Sequence, residues 1–145
     1  MEEIDLCWRL KNLGYKIVVN PKSTVFHVGG GTLPNDSPFK LFLNFRNNLF
    51  LLYKNLPKDR FYRTLIARMI LDGISAILFL LKFSFPSFNA VFKAHIQFYK
   101  SISKLKTERK KLLKKAVNHH QEVYPKSIVF SYFIRKKRFF NDLTF

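Results

Sequence analysis

The residues whose types and spacing could do chemistry lie in the first 32 positions. Three acids, Glu2, Glu3 and Asp5, precede the first base of the chain, and a histidine, His27, stands directly before three glycines. Carboxylates can act as general bases, and a histidine beside a glycine turn can reach a phosphate or a metal ion. The spacing alone also fits simpler interpretations. Acids are commonly enriched in the first turn of a helix, and a lone histidine is more often a packed or surface residue than a ligand.

Three segments of the chain resemble a known protein family. They are Glu2-Glu3-Ile4-Asp5-Leu6-Cys7-Trp8-Arg9, then Gly14-Tyr15 with Val25-Phe26-His27-Val28-Gly29-Gly30-Gly31-Thr32, and finally Asn44-Phe45-Arg46-Asn47-Asn48. Their order and spacing are similar to the end of the catalytic domain of family 2 glycosyltransferases, which are inverting enzymes of the GT-A fold, and to the helix that follows in rhamnosyltransferase-like members. The family usually has Asp as the second acid of the pair, where this chain has Glu3.

The resemblance implies a catalytic role for the acids. By position, Glu3 would be the general base that takes the proton of an acceptor hydroxyl, while Glu2 or Asp5 would orient Glu3 or bond the acceptor. His27 would help to hold a divalent metal, Mg or Mn, on a nucleotide diphosphate. We therefore expect a nucleotide-diphosphate sugar as donor and a glycan or lipid-linked molecule as acceptor.

The same resemblance implies four substrate-binding residues: Arg9, Arg46, Gly29 and Gly30. The glycines would allow the backbone to approach a phosphate closely, although three glycines by themselves indicate only a loop. Arg46 would reach the diphosphate or anchor the loop after His27. A helix-face arginine is also commonly solvated, so both interpretations of Arg46 stay open.

The metal-binding Asp-x-Asp motif of the family is not present in the 145 residues. Since the resemblance begins inside the acidic motif, we expect this chain to be the C-terminal part of a longer enzyme. The metal would be shared with the missing N-terminal half, and the chain alone would be inactive.

Charge divides the chain into two regions. Residues 1–36 contain four acids and four bases, whereas residues 37–145 contain 22 bases and 5 acids. We interpret 1–36 as the remnant of a glycosyltransferase catalytic domain and 37–145 as a basic helical extension that associates with membranes. Such a basic segment seeks phosphate, of either anionic lipid or nucleic acid.

Hydrophobic patterning favours lipid over nucleic acid as the partner of the basic extension. An apolar stretch at 65–81 has about 17 residues, against about 20 for a transmembrane helix, and it contains Arg68 and Asp72, which could pair on one face. We expect this helix to lie in the membrane interface, or to be buried against its neighbours, without spanning. The tail at 127–140 mixes aromatic residues with four consecutive cations, which suits the interface of an anionic bilayer. We do not expect nucleic acid as a partner.

The predicted fold class is mainly α with a small β remnant. We expect a helix at 3–13 ended by Gly14, strands at 15–20 and 23–28, and a helix that starts at Ser37 and Pro38. Two further helices follow, one capped by Asp59 and one running from 88 to about 115, before an irregular tail. In the second of these, His95 is interpreted as a packing residue.

Two functions of other classes remain as alternatives. The chain could be a non-catalytic, basic peripheral membrane protein, or, as the weaker alternative, a nucleic-acid-binding module. The single cysteine, Cys7, cannot form an internal disulfide, which fits a reducing environment. The expected location is the cytoplasmic face of a membrane.

Overall fold

A computed structural model describes residues 1–26, 34, 37–117, 124 and 126–143, and this part of the chain is helical without strands. The five α-helices and one 3-10 turn are α1 (Glu2–Asn12), α2 (Pro38–Asn55), α3 (Lys58–Leu81), α4 (Phe85–Lys115), α5 (Ile128–Phe133) and Phe140–Asp142. The prediction of a mainly α protein is therefore confirmed.

The first helix ends where the sequence predicts. Gly14 has a φ of 87°, the left-handed conformation that glycine adopts without steric cost, and its N–H donates to the carbonyl of Lys11 at 2.9 Å. The N–H of Tyr15 then donates to Leu10 at 3.0 Å. This termination satisfies the last carbonyls of α1 and turns the chain away from the helix axis.

Helix starts are set mainly by proline. Ser37 and Pro38 stand at the start of α2 as predicted, although the Ser37 side chain makes no capping hydrogen bond. The prediction that Asp59 caps α3 is wrong, because Pro57 occupies the cap position and Asp59 lies in the first turn. Helix α4 begins at Phe85 instead of 88. Pro86 lies in its first turn. A backbone N–H at that position would have no intrahelical partner, so proline, which lacks the N–H, is tolerated there.

The two predicted strands are absent from the residues that are described. Positions 15–20 and 23–26 form no strand, and side chains such as Val18, Val19, Val25 and Phe26 are exposed. Alternating apolar residues form a strand only when a neighbouring strand satisfies the backbone hydrogen bonds, and no described segment supplies one. Residues 27 and 28, the end of the second predicted strand, lie outside the described part.

The core lies between α2, α3 and α4. Helix α2 packs along α4, and α3 packs against both. Leu49, Leu65, Phe98 and Leu105 form one buried cluster, and Phe45, Val91 and Ala94 form another. These clusters make α2, α3 and α4 a rigid support for the N-terminal helix.

Helix α1 lies against this three-helix core. It contacts α2 and α4, and its C-terminal end is tied to the residues after α4 because the N–H of Val117 donates to the carbonyl of Asn12 at 2.8 Å. Asn12 is 2% exposed. The contacts of α1 therefore join residues before position 36 to residues beyond it.

Helix α3 is apolar and mostly exposed. Its 24 residues are long and apolar enough to cross a membrane, judged by length and composition alone. Only Leu65 and Asp72 of this helix are buried. The alternative prediction, that α3 is buried against its neighbours, is therefore wrong.

The tail is more ordered than predicted. Ser127 caps α5 by accepting a hydrogen bond from the Phe130 N–H at 3.3 Å, and Asp142 accepts from the backbone N–H groups of Arg138 and Phe139. Serine at the cap position is the sequence signal for this short helix.

Candidate functional site

The acids of α1 differ sharply in their surroundings, and Asp5 is the one that the fold holds in place. Its carboxylate accepts a hydrogen bond from Asn55 Nδ2 at 2.8 Å, and Lys54 Nζ lies 3.1 Å from each oxygen. Arg9 Nε lies 3.0 Å from Oδ2, one turn along α1. The Asp5–Arg9 contact has the i, i+4 spacing anticipated from the sequence, whereas Lys54 and Asn55 come from the end of α2.

These partners change the acidity of Asp5. Burial of the carboxyl alone would raise its pKa, but the hydrogen bonds from Asn55 and Lys54, with the charges of Lys54 and Arg9, outweigh burial and leave the pKa below its usual value. Asp5 is thus ionised near neutral pH and fully engaged by donors. A carboxylate in this state is a weak base, so the structure suits Asp5 for positioning and not for proton abstraction.

Glu2 and Glu3 lie at the open end of α1. Their side chains are 90% and 86% exposed, and the terminal ammonium of Met1 lies 3.9 Å and 3.3 Å from them. They sit in the first turn, where the positive end of the helix dipole favours negative charge. Both carboxylates are therefore accessible to a molecule that approaches α1 from its N-terminal end.

A cleft connects Asp5 to the surface between α1 and α2. It has a volume of about 190 Å³ and is lined by Met1, Glu2, Asp5, Arg9, Asn47, Phe50, Leu51 and Lys54. Pockets for drug-sized molecules usually have about 300–1,000 Å³. This cleft can therefore hold a small polar fragment, such as one hydroxyl-bearing ring, but it is too small for a nucleotide.

Arg46 is hydrogen-bonded to Asn47, which lines this cleft. Its Nε and Nη2 donate to Asn47 Oδ1 at 3.0 Å and 2.8 Å, and its guanidinium lies over the rings of Phe42 and Phe50 at 5.2 Å and 5.7 Å. Because Asn47 itself lines the cleft, Arg46 contacts the site through that amide. The structure therefore brings Arg9 and Asp5 directly together and adds Arg46 only indirectly.

Three of the residues named by the resemblance, His27, Gly29 and Gly30, lie outside the described residues. Within the described ranges, no group of three or more histidine, cysteine, aspartate and glutamate side chains could hold a metal ion. The two cations beside Asp5 would also repel a divalent ion at that position. The acids of α1 therefore do not fit the role of a metal cage.

A second polar cluster lies in the apolar contact between α3 and α4. Asp72 is 1% exposed, and its two oxygens lie 2.8 Å from Arg68 Nε and 3.1 Å from His95 Nε2. The Arg68–Asp72 pair was predicted from its spacing. The contact of His95 was not, although a carboxylate within an apolar helix signals that a partner is needed.

No family model, no curated protein and no solved structure matches this chain.

Proposed function

We propose that this chain carries the acceptor-activating end of an inverting glycosyltransferase. The enzyme would transfer a sugar from a nucleotide-diphosphate donor to a hydroxyl of a glycan or lipid-linked acceptor at the cytoplasmic face of a membrane. The observation that carries the proposal is the difference in surroundings among the three acids of α1. One carboxylate, Asp5, is partly buried and held by three donors, while Glu2 and Glu3 in the first turn are exposed to solvent and lie near the terminal ammonium of Met1.

In this proposal Glu3 is the general base. It takes the proton of the acceptor hydroxyl while that oxygen attacks the anomeric carbon of the donor and the bond to the diphosphate breaks. A positioned base typically contributes about 10²- to 10⁴-fold to the rate. The exposed Glu3 side chain is accessible to an acceptor.

Asp5 acts as a positioning residue. Its contacts with Lys54 and Asn55 join α1 to α2, so they set the direction in which the first turn of α1 presents Glu2 and Glu3. Fixing a catalytic group in this way lowers the entropy that must be lost on reaching the transition state. The side chains that line the cleft include two acids, Glu2 and Asp5, and two bases, Arg9 and Lys54, so their charges balance.

The proposal includes a divalent metal, Mg or Mn, which His27 and a separate donor-binding half would hold. That half is part of the proposal because the 145 residues contain no Asp-x-Asp motif and the cleft is too small for a nucleotide. Because the described acids do not form a metal cage, no step above depends on the ion.

The proposal is tested with Glu3→Gln at the chromosomal locus of the cell that makes the chain, with Glu108→Gln as the matched control on α4. Membranes from the wild-type strain and the two variant strains are incubated with a panel of nucleotide sugars and the cell's own acceptors. We expect Glu3→Gln to remove the chain-dependent release of nucleoside diphosphate and the incorporation of sugar, while the control retains both. Wild-type transfer in Glu3→Gln, or no chain-dependent transfer from any donor, would refute the proposal.

The exposed apolar helix α3 favours the second candidate, a non-catalytic basic protein bound to anionic lipid. That function needs neither the first-turn acids nor the contacts of Asp5. It predicts lipid binding in every variant of Glu3 and no sugar transfer in any of them, so the same strains distinguish the two candidates.

A further inference from the structure

We propose that one face of α3 is a membrane-docking surface, and that α3 lies flat in the interface of an anionic bilayer with this face inserted. The face, here called the isoleucine stripe, consists of Ile66, Ile70, Ile74, Ile77 and Leu81. Their spacings of four, four, three and four residues place them on one side of a helix. The inference deepens the proposed function by naming its membrane partner and rests on it only for the cellular setting.

The isoleucine stripe is exposed along its whole length. Its side chains are between 48% and 70% exposed, and the stripe contains no charged residue. From residue 66 to residue 81 it extends for about 22 Å along the helix. A continuous apolar strip of this length marks an interaction site on a protein surface, because burying it in an apolar phase is favourable.

The opposite face of α3 packs against the rest of the protein. Leu65, Met69, Ala76 and Phe79 pack against the two core clusters, and Asp72 contacts His95 of α4 on the same side. The polar groups of the helix centre therefore point away from the stripe. A helix with this division can insert its apolar side without detaching from α2 and α4.

The Asp72 contacts also favour a flat orientation over a spanning one. A spanning α3 would bring Arg68, Asp72 and the attached His95 of α4 to the depth of the hydrocarbon core, where ionisable groups are costly. In the flat orientation these groups remain on the protein side of the helix. The isoleucine stripe then enters the lipid, to the shallow depth typical of interfacial helices.

Charge selects an anionic bilayer in preference to a second copy of the chain. The protein carries 26 lysines and arginines against 9 acids. Two such copies repel each other, whereas anionic lipid attracts them. Exposed cations also flank the stripe, with Arg63 in the first two turns of α3 and Lys82 directly after its end.

The first test is vesicle cosedimentation of the double variant Ile70→Asn/Ile77→Asn. Its matched control is Ile4→Asn/Val18→Asn, which changes two exposed apolar residues elsewhere without changing charge. The vesicles contain phosphatidylcholine with about one-third phosphatidylglycerol, which supplies the anionic surface. We expect the stripe variant to lose roughly tenfold in affinity for each residue, and the control to bind as the wild type does.

The second test measures orientation. In a Cys7→Ser background, spin labels on Ile66→Cys, Ile74→Cys and Leu81→Cys report their depth in the bilayer. A flat helix gives similar shallow depths at all three positions. A graded depth from 66 to 81 would overturn the flat orientation, and labels that become immobile in concentrated protein without lipid would identify a second copy as the partner.

Neither test includes a nucleotide sugar or an acceptor. Equal binding by the stripe and control variants, or no binding to the anionic vesicles by any form, would refute the docking surface and leave the catalytic proposal standing. Loss of sugar transfer in Glu3→Gln with normal vesicle binding, together with weaker vesicle binding by the stripe variant than by its control, would support the two proposals separately.

Discussion

The carboxylate of Asp72 lies 3.1 Å from Nε2 of His95, and this contact joins α3 to α4 inside an otherwise apolar interface. Asp72 is 1% exposed, and Arg68 approaches its other oxygen at 2.8 Å. A buried carboxylate is tolerated only when such partners replace the water it has lost. The cluster therefore specifies how α3 is seated on α4, which in turn determines the face that α3 presents outward.

Removing the charge of Asp72 should destabilise the protein strongly. Asp72→Asn leaves Arg68 and His95, whose side chains are partly exposed, facing a buried amide, and removing one partner of such a contact costs about 1–3 kcal/mol. The free energy of unfolding from urea titration measures this loss. Asp59→Asn is the control, because that carboxylate is 73% exposed and its 3.7 Å contact with Arg60 should contribute less than about 1 kcal/mol. Equal losses in the two variants would contradict the assignment.

Asp5 should make stability depend on acidity. Its pKa is lowered in the folded protein, so its contacts stabilise the fold above the unfolded pKa of about 3.9 and are lost as the pH falls through the lower, folded value. The difference in unfolding free energy between the wild type and Asp5→Asn should therefore be constant near neutrality and shrink below about pH 4.

Urea titrations at a series of pH values measure that difference. Lys54→Met, which keeps the carboxylate and removes one donor, should show a smaller loss of stability in acid than the wild type does. A difference between wild type and Asp5→Asn that stays constant far below pH 4 would show that the ionisation of Asp5 contributes nothing to the stability of the fold.

Some of these relationships follow from sequence and others do not. Gly14, Pro38 and the pairs Asp5–Arg9 and Arg68–Asp72 were predictable because each depends on residues within one turn of helix. The contacts of Asp5 with Lys54 and Asn55 span 49 and 50 positions, and no local pattern encodes them. They arise only once α1 is packed on α2.

The two predicted strands are the reverse case, because a local sequence pattern is present but the predicted structure does not form. The alternation of Tyr15, Ile17 and Val19 is a sound strand signal, but a strand also needs a partner that is distant in sequence. In the described part of the chain this segment has no such partner, and its apolar side chains are exposed. The local propensity for a strand is therefore present, but the described residues do not provide the neighbouring strand that it needs.

Arg109 should contribute through its shape more than through its charge. Its guanidinium lies 4.2 Å from the centre of the Phe61 ring, and Nη1 donates to the carbonyl of Tyr53 at 2.8 Å. Burial lowers its pKa from the ordinary value, as expected of a cation partly removed from water. Arg109→Lys keeps the charge but loses the planar stacking and the fork of donors, so we expect a loss of about 1–2 kcal/mol. Thermal and urea unfolding measure it, with Lys110→Arg on the exposed neighbour as the neutral control. A loss no larger than that of the control would mean that any cation suffices at position 109.

Salt should weaken vesicle binding without abolishing it, because two different forces attach the protein. The 22 bases after residue 36 attract anionic lipid, and this attraction is screened over about 8 Å at physiological ionic strength. In the proposed docking, the apolar area of the isoleucine stripe would be buried in lipid, where salt does not screen it. Cosedimentation from about 50 to 500 mM salt should therefore fall to a plateau for the wild type and to a much lower level for Ile70→Asn/Ile77→Asn. A single-stranded oligonucleotide in place of the vesicles tests the alternative partner, because binding driven by phosphate charge declines steadily with salt. Tight oligonucleotide binding at physiological salt together with vesicle binding that vanishes at high salt would identify the extension as a nucleic-acid module instead.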